Sequence, residues 1–150
     1  MCTVRAKIEQ IQALNLESEV VSSIEATEED YIAKNTQEEL FTGIDATGNQ
    51  ISPNYKSMSY ARKKAAMNSL PGFGVPDLKL TGEFYNRFTL KVDRAEIEVN
   101  SDVPYAKYLE ARYGKRIYGL TDKLRAEYAF GPFWGVLKER IEAVTGLTFK

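Results

Sequence analysis

The side chains able to attack, ligate or carry protons here are carboxylates, lysines, serines and tyrosines, because histidine is absent and Cys2 is the sole cysteine. Without histidine there is no Ser-His-Asp or Cys-His arrangement, no imidazole ligand and no ordinary proton shuttle near neutral pH. One cysteine makes neither an intrachain disulfide nor a structural zinc site. Cys2 reads as a terminal passenger rather than a nucleophile. Ser22, Ser23 and Ser57 have no histidine to deprotonate them, and no sequence spacing pairs them with a lysine. Asp77, Glu83, Glu96 and Glu110 are too scattered to define the carboxylate pair of a glycoside hydrolase. Gly43-x-Asp45-x-x-Gly48 starts like a calcium loop but lacks the further acidic ligands and the closing glutamate. Gly72-Phe73-Gly74 is too short to cradle a phosphate, and no Gly-Lys-Ser/Thr follows it. The expectation is a protein that is not an enzyme, with no catalytic residues, no cofactor and no metal.

Gly43, Asp45 and Gly48 read instead as a structural turn. An aspartate carboxylate bonds neighbouring backbone amides, and glycine supplies positive φ. On that reasoning Gly48→Val should be more damaging than Asp45→Asn, because positive φ penalises a β-branched residue. Aromatic residues, 11% of the chain, gather in 84–88, 105–118 and 128–134. They are favoured anchors of protein interfaces, although Phe84, Phe88 and Trp134 are assigned to the core. Tyr105, Tyr108 and Tyr113, at i, i+3 and i+8, share one broad helix face. That face suits a protein or carbohydrate ligand. It suits nucleic acid poorly, because the basic residues are dispersed and the pI is near 5.7.

The elements that must position these groups follow from periodicity. Residues 3–14 carry Val4, Ile8, Ile11 and Leu14 near one helical stripe. A longer helical segment, about 18–42, ends at Gly43, with Val20, Ile24, Tyr31 and Leu40 among its apolar positions. Its stripe is thin, since Glu28 and Asn35 fall where apolar residues would continue it. It therefore either packs on another subunit or bends near Ala26–Thr27 and packs on its own. Further helices are expected over 59–68, from Leu80-Thr-Gly82, over 104–113, from Asp122 to about Tyr128, and from Pro132 to Gly146. Alternation in 88–92 and 97–99 predicts a β-hairpin. The fold class expected is α+β, a small antiparallel sheet packed with several helices. Residues 1–42 form an N-terminal helical segment, a candidate inter-subunit arm, and 43–150 form the α+β domain.

Charge divides along the same line. Residues 1–50 carry −7, while 51–100 and 101–150 each carry +3. Such polarity lets one copy attract another head to tail. The expected contacts are Val20, Ile24 and Tyr31, with Glu28 and Glu29 setting orientation. No apolar run approaches the length needed to cross a bilayer, and residues 1–10 lack the apolar core of a signal peptide.

The order of motifs resembles tailed-phage tail-completion and minor tail proteins, which act in head–tail joining and virion morphogenesis. The similarity runs over residues 38–145. It comprises the turn in Leu40–Pro53 (LFTGIDATGNQISP), the lysine-bearing helix at Tyr60–Lys64 and Leu80-Thr-Gly82 before the 88–100 hairpin. Tyr105-Ala106 and Pro132-Phe133-Trp134 complete it. Tyr113-Gly-Lys replaces the family's usual glycine–threonine pair, and 117–131 is longer than the pattern. The resemblance implies a structural virion protein, a neck or tail-terminator subunit made in the host bacterial cytoplasm. It implies a homo-oligomer, a hexameric ring that contacts connector and tail-tube proteins, with DNA only passing through the channel. The alternative from the residues alone is a non-phage module that binds protein or carbohydrate on its aromatic face.

Overall fold

In the computed structural model, which describes residues 3–94 and 96–150, the chain begins with α1 (Val4–Ala13). Cys2 lies outside the described residues. Thr3 caps α1 by accepting the Ala6 amide at 3.2 Å, as threonine at an N-cap should. Asn15 does the same for α2 (Leu16–Ala26), accepting Ser18 N–H at 3.1 Å. Glu17 and Glu19 in the first turn favour the positive end of that helix's dipole.

The long helical segment does break where its apolar stripe fails. Thr27 ends α2, its hydroxyl bonded to the Ser23 carbonyl at 2.8 Å and the Tyr128 hydroxyl at 2.7 Å. Beyond it lie α3 (Glu28–Ala33), a π turn (Lys34–Glu39) and a 3-10 turn (Leu40–Thr42). The bend carries this segment onto the strands and the C-terminal helix. Ile24, Tyr31 and Leu40 are thereby buried within their own subunit, and Val20 is half-buried. Ile24 and Tyr31 are thus not exposed contacts for a neighbour, and a boundary at residue 42 separates no packed units. Tyr31 and Leu40 share one core with Ile51, Phe84, Phe88, Ile117 and Leu120.

Helix α4 (Met58–Met67) is capped by Ser57. Helix α5 (Glu83–Asn86) leads into β1 (Phe88–Asp93), which pairs antiparallel with β2 (Glu96–Ser101). Phe88 lies opposite Ser101, Leu90 opposite Val99 and Val92 opposite Ile97, so the period of two sets one inner face. Helix α6 (Ala106–Tyr113) stops at Gly114, whose φ is 82°. A 3-10 turn (Lys115–Ile117) precedes α7 (Asp122–Tyr128). A π turn (Ala129–Phe133) then joins α7 without interruption to α8 (Trp134–Thr145). The expected separate last helix from Pro132 is therefore the continuation of a run begun at Asp122. Trp134, assigned above to the core, is exposed on one side, with its ring 5.9 Å from Phe149.

The architecture is α+β: a two-stranded antiparallel sheet packed with helices. Each fully buried aliphatic side chain contributes about 1.5–3 kcal/mol. Among the described residues no helix is long and apolar enough to cross a membrane.

Candidate functional site

A concavity of about 500 Å³ lies between α4 and α6, floored by residues 78–84. That is ample for several side chains of a partner or for a small ligand. Tyr60 and Lys64 come from α4, Leu109, Arg112 and Tyr113 from α6 with Tyr105 just before it, and Tyr55 and Lys56 from the loop before α4. Tyr55 and Tyr60 meet edge to face at 5.0 Å, a favourable arrangement for two rings.

Behind this lining sits a closed polar network. Lys64 Nζ lies 2.7 Å from Asp77 Oδ1, and both side chains are buried. Asp77 also accepts Lys79 N–H at 3.0 Å and an Asn68 side-chain N–H at 3.0 Å. Lys64 donates to the Lys79 carbonyl, and Asn68 to the Phe41 carbonyl at 2.7 Å. The pair joins α4 to the floor and, through Asn68, to the end of the N-terminal segment. With its hydrogen bonds satisfied, the Asp77 charge is held by structure rather than offered to a substrate.

The tyrosines act as donors and apolar surface. Burial, with the nearby Asp77 charge adding, pushes the Tyr55 and Tyr85 phenols far above their ordinary range. Tyr85 donates its hydroxyl proton to the Asp77 carbonyl. Tyr105 is also raised, first by burial and then by Glu83. Phenols held this way stay protonated at neutral pH and supply neither base nor nucleophile.

The expected tyrosine face is divided. Tyr105 and Tyr113 line the cleft, but Tyr113 is buried and its hydroxyl accepts from Arg112 Nε at 3.1 Å. Tyr108 is 67% exposed and stands outside the cleft beside Lys107. On α3, Glu28 accepts the Leu90 amide at 3.0 Å, while Glu29 faces solvent. In the sequence Asp77 is one of several scattered carboxylates and Lys64 part of a lysine-bearing helix, with nothing to pair them or to single out Asn68. Their only signal is a lysine and an aspartate flanking a Pro- and Gly-rich loop, which does not show that the loop brings them together.

The Gly43–Gly48 turn is built for packing. Gly43 and Gly48 take φ of 79° and 84°. Asp45 accepts Thr47 N–H at 2.9 Å, the Thr47 hydroxyl at 2.5 Å and Asn49 N–H at 3.4 Å. Its other oxygen lies 3.1 Å from Arg116 Nε, whose N–H points to the Tyr113 carbonyl. Among the described residues no three acidic, cysteine or histidine side chains gather to hold a metal.

A second buried polar group ties the N-terminal segment to the 117–121 loop. Asn35 donates to the Ile117 carbonyl at 3.2 Å and accepts Gly119 N–H at 2.9 Å. Glu39 accepts Thr121 N–H at 2.5 Å, while its second oxygen is buried without a partner. No family model, curated protein or solved structure matches the chain.

Proposed function

We propose that this chain is a non-catalytic structural subunit of a tailed phage or prophage, acting at the head–tail neck in tail completion or termination. Copies close into a ring, hexameric by the family resemblance, between connector and tail-tube proteins, and DNA passes through the channel. The observation that supports this most is the surface of α1. Val4, Ile8 and Ile11 form its apolar stripe, yet they are 77%, 49% and 45% exposed. Apolar residues at i, i+4 and i+7 left uncovered on a helix are what an assembling subunit presents before its neighbour arrives. The motifs carrying the resemblance also fall within one folded unit, around the shared core.

The test is the native mass of the full chain at micromolar concentration, together with protein identification in purified tailed particles that encode it. A closed oligomer and a few copies per particle are expected. A monomer at every concentration, absent from the particles, overturns the reading. The α4–α6 cleft supports a second reading, a module binding a protein or carbohydrate ligand; a monomer that retains an oligosaccharide on a glycan array would favour it.

A further inference from the structure

Two surfaces of this chain lack a partner in their own subunit, and they complement each other. The first is the α4–α6 cleft, apolar within and cationic at its edge. Lys56, Lys79 and Arg112 line it against one acid, Glu83, while Lys64 is neutralised by Asp77. The second is the N-terminal arm. Its α1 stripe is uncovered, with Arg5 paired to Glu9 and Lys7 turned to the Thr145 and Gly146 carbonyls, and residues 17–30 beyond it contain six acidic side chains and no basic one. Glu19 is engaged by Arg140 at 2.7 Å and Glu28 by the Leu90 amide. Glu17, Glu25, Glu29 and Asp30 have no ion-pair partner among the described residues.

The arm does not reach the cleft of its own subunit. No residue of α1 or α2 lines it, and Lys7 holds α1 elsewhere by donating to the Thr145 and Gly146 carbonyls at 3.2 and 2.6 Å. We propose that the α4–α6 cleft receives the N-terminal arm of a second copy, with Val4, Ile8 and Ile11 entering it and the arm's unpaired carboxylates facing its cationic edge. Helix α1 is about 15 Å long, so a cleft of about 500 Å³ accepts one face of it rather than the whole helix. Burial of the stripe supplies the affinity, and the opposed charges set orientation and encounter rate. Because the two surfaces are different patches, the contact is head to tail and repeats from copy to copy, closing a ring if the rotation allows. This assignment rests on the reading of the chain as a self-assembling subunit.

A head-to-tail contact has a signature that a two-fold contact lacks. The arm variant Ile8→Glu/Ile11→Glu and the cleft variant Lys56→Glu/Leu80→Glu change only exposed positions. Each full-length variant alone should lose association by at least about tenfold, with unchanged circular dichroism and melting. Mixed, they should form a one-to-one complex and nothing larger, since one intact cleft and one intact arm remain. Sedimentation at low and high salt reads both results, and the mixed complex should weaken at high salt. If the parent assembles but either folded variant assembles equally well, or the mixture stays monomeric, this contact is wrong and the ring reading survives. If the parent itself stays monomeric, both fall.

Discussion

Glu39 is 2% exposed and has one carboxylate oxygen without a hydrogen-bond partner. Burial pushes its carboxyl up to about 7 from 4.5, with Asp45 and Glu38 adding to the rise and bonds from Thr121 opposing it. The folded chain therefore keeps a proton that the unfolded chain releases between those two pH values. Stability from this group is full below the lower value, falls as pH rises through the window and levels off above about 7. The effect is on the order of 3 kcal/mol. Urea midpoints measured from pH 5 to pH 8 should fall more steeply in the parent than in Glu39→Gln, which cannot ionise. Parallel profiles would show that Glu39 titrates normally. Lys64 and Asp77 test burial from the other direction. Asp77→Ala leaves an ammonium buried without its counter-ion, which costs about 3–5 kcal/mol. Adding Lys64→Met should recover part of that loss, and strictly additive unfolding free energies would contradict the coupling.

At the scale of elements, the 43–48 turn orders its residues differently from a reading of glycine alone. Gly48 has open space where a Cβ would stand, so Gly48→Ala costs only its left-handed backbone, about 1–2 kcal/mol. A Cβ on Gly43 would lie 2.6 Å from the Pro71 Cβ and 2.9 Å from the Val75 Cγ1. Asp45→Ala strands the Thr47 and Asn49 amides and removes the charge beside Arg116. Thermal melts should therefore rank Gly43→Ala and Asp45→Ala as more damaging than Gly48→Ala. The sequence weighs Gly48→Val against Asp45→Asn by φ preference alone, because a motif shows φ preference but not what packs against it. Local signals elsewhere were sufficient. Gly43 and Gly146 mark helix stops and alternation marks the hairpin, while the caps at Thr3, Asn15 and Ser57 emerge only in the structure. What stayed hidden needed partners distant in the chain. Asn35 looked like a gap in an apolar stripe until the 117–121 loop arrived to use it, and Lys64 and Asp77 looked like ordinary charges.

For the molecule as a whole, the arm divides into a part that folds the subunit and a part that does not. Ser23, Ile24 and Thr27 are buried, and Thr27 meets the Tyr128 hydroxyl. No residue of α1 is buried. Removing residues 1–14 should leave the melting temperature within a few degrees while abolishing self-association, read by light scattering. Removing 1–30 should cost folding itself, because it opens the core under Tyr128. If the shorter truncation fails to fold, α1 belongs to the core and its exposed stripe has been misread.

The π turn at Ala129–Phe133 has a consequence for how the C-terminal half changes length. A π turn is an α-helix holding one surplus residue. Losing one residue from this turn would let the run from Asp122 to Thr145 close into regular helix, with its backbone bonds intact. The wide turn absorbs its extra residue locally, so the side chains on either side keep the directions they have. Leu137 and Thr145 would stay on the core side, and Lys7 would keep the carbonyls it holds. Length at this point is thus adjustable by one residue without changing where the far end of the protein faces.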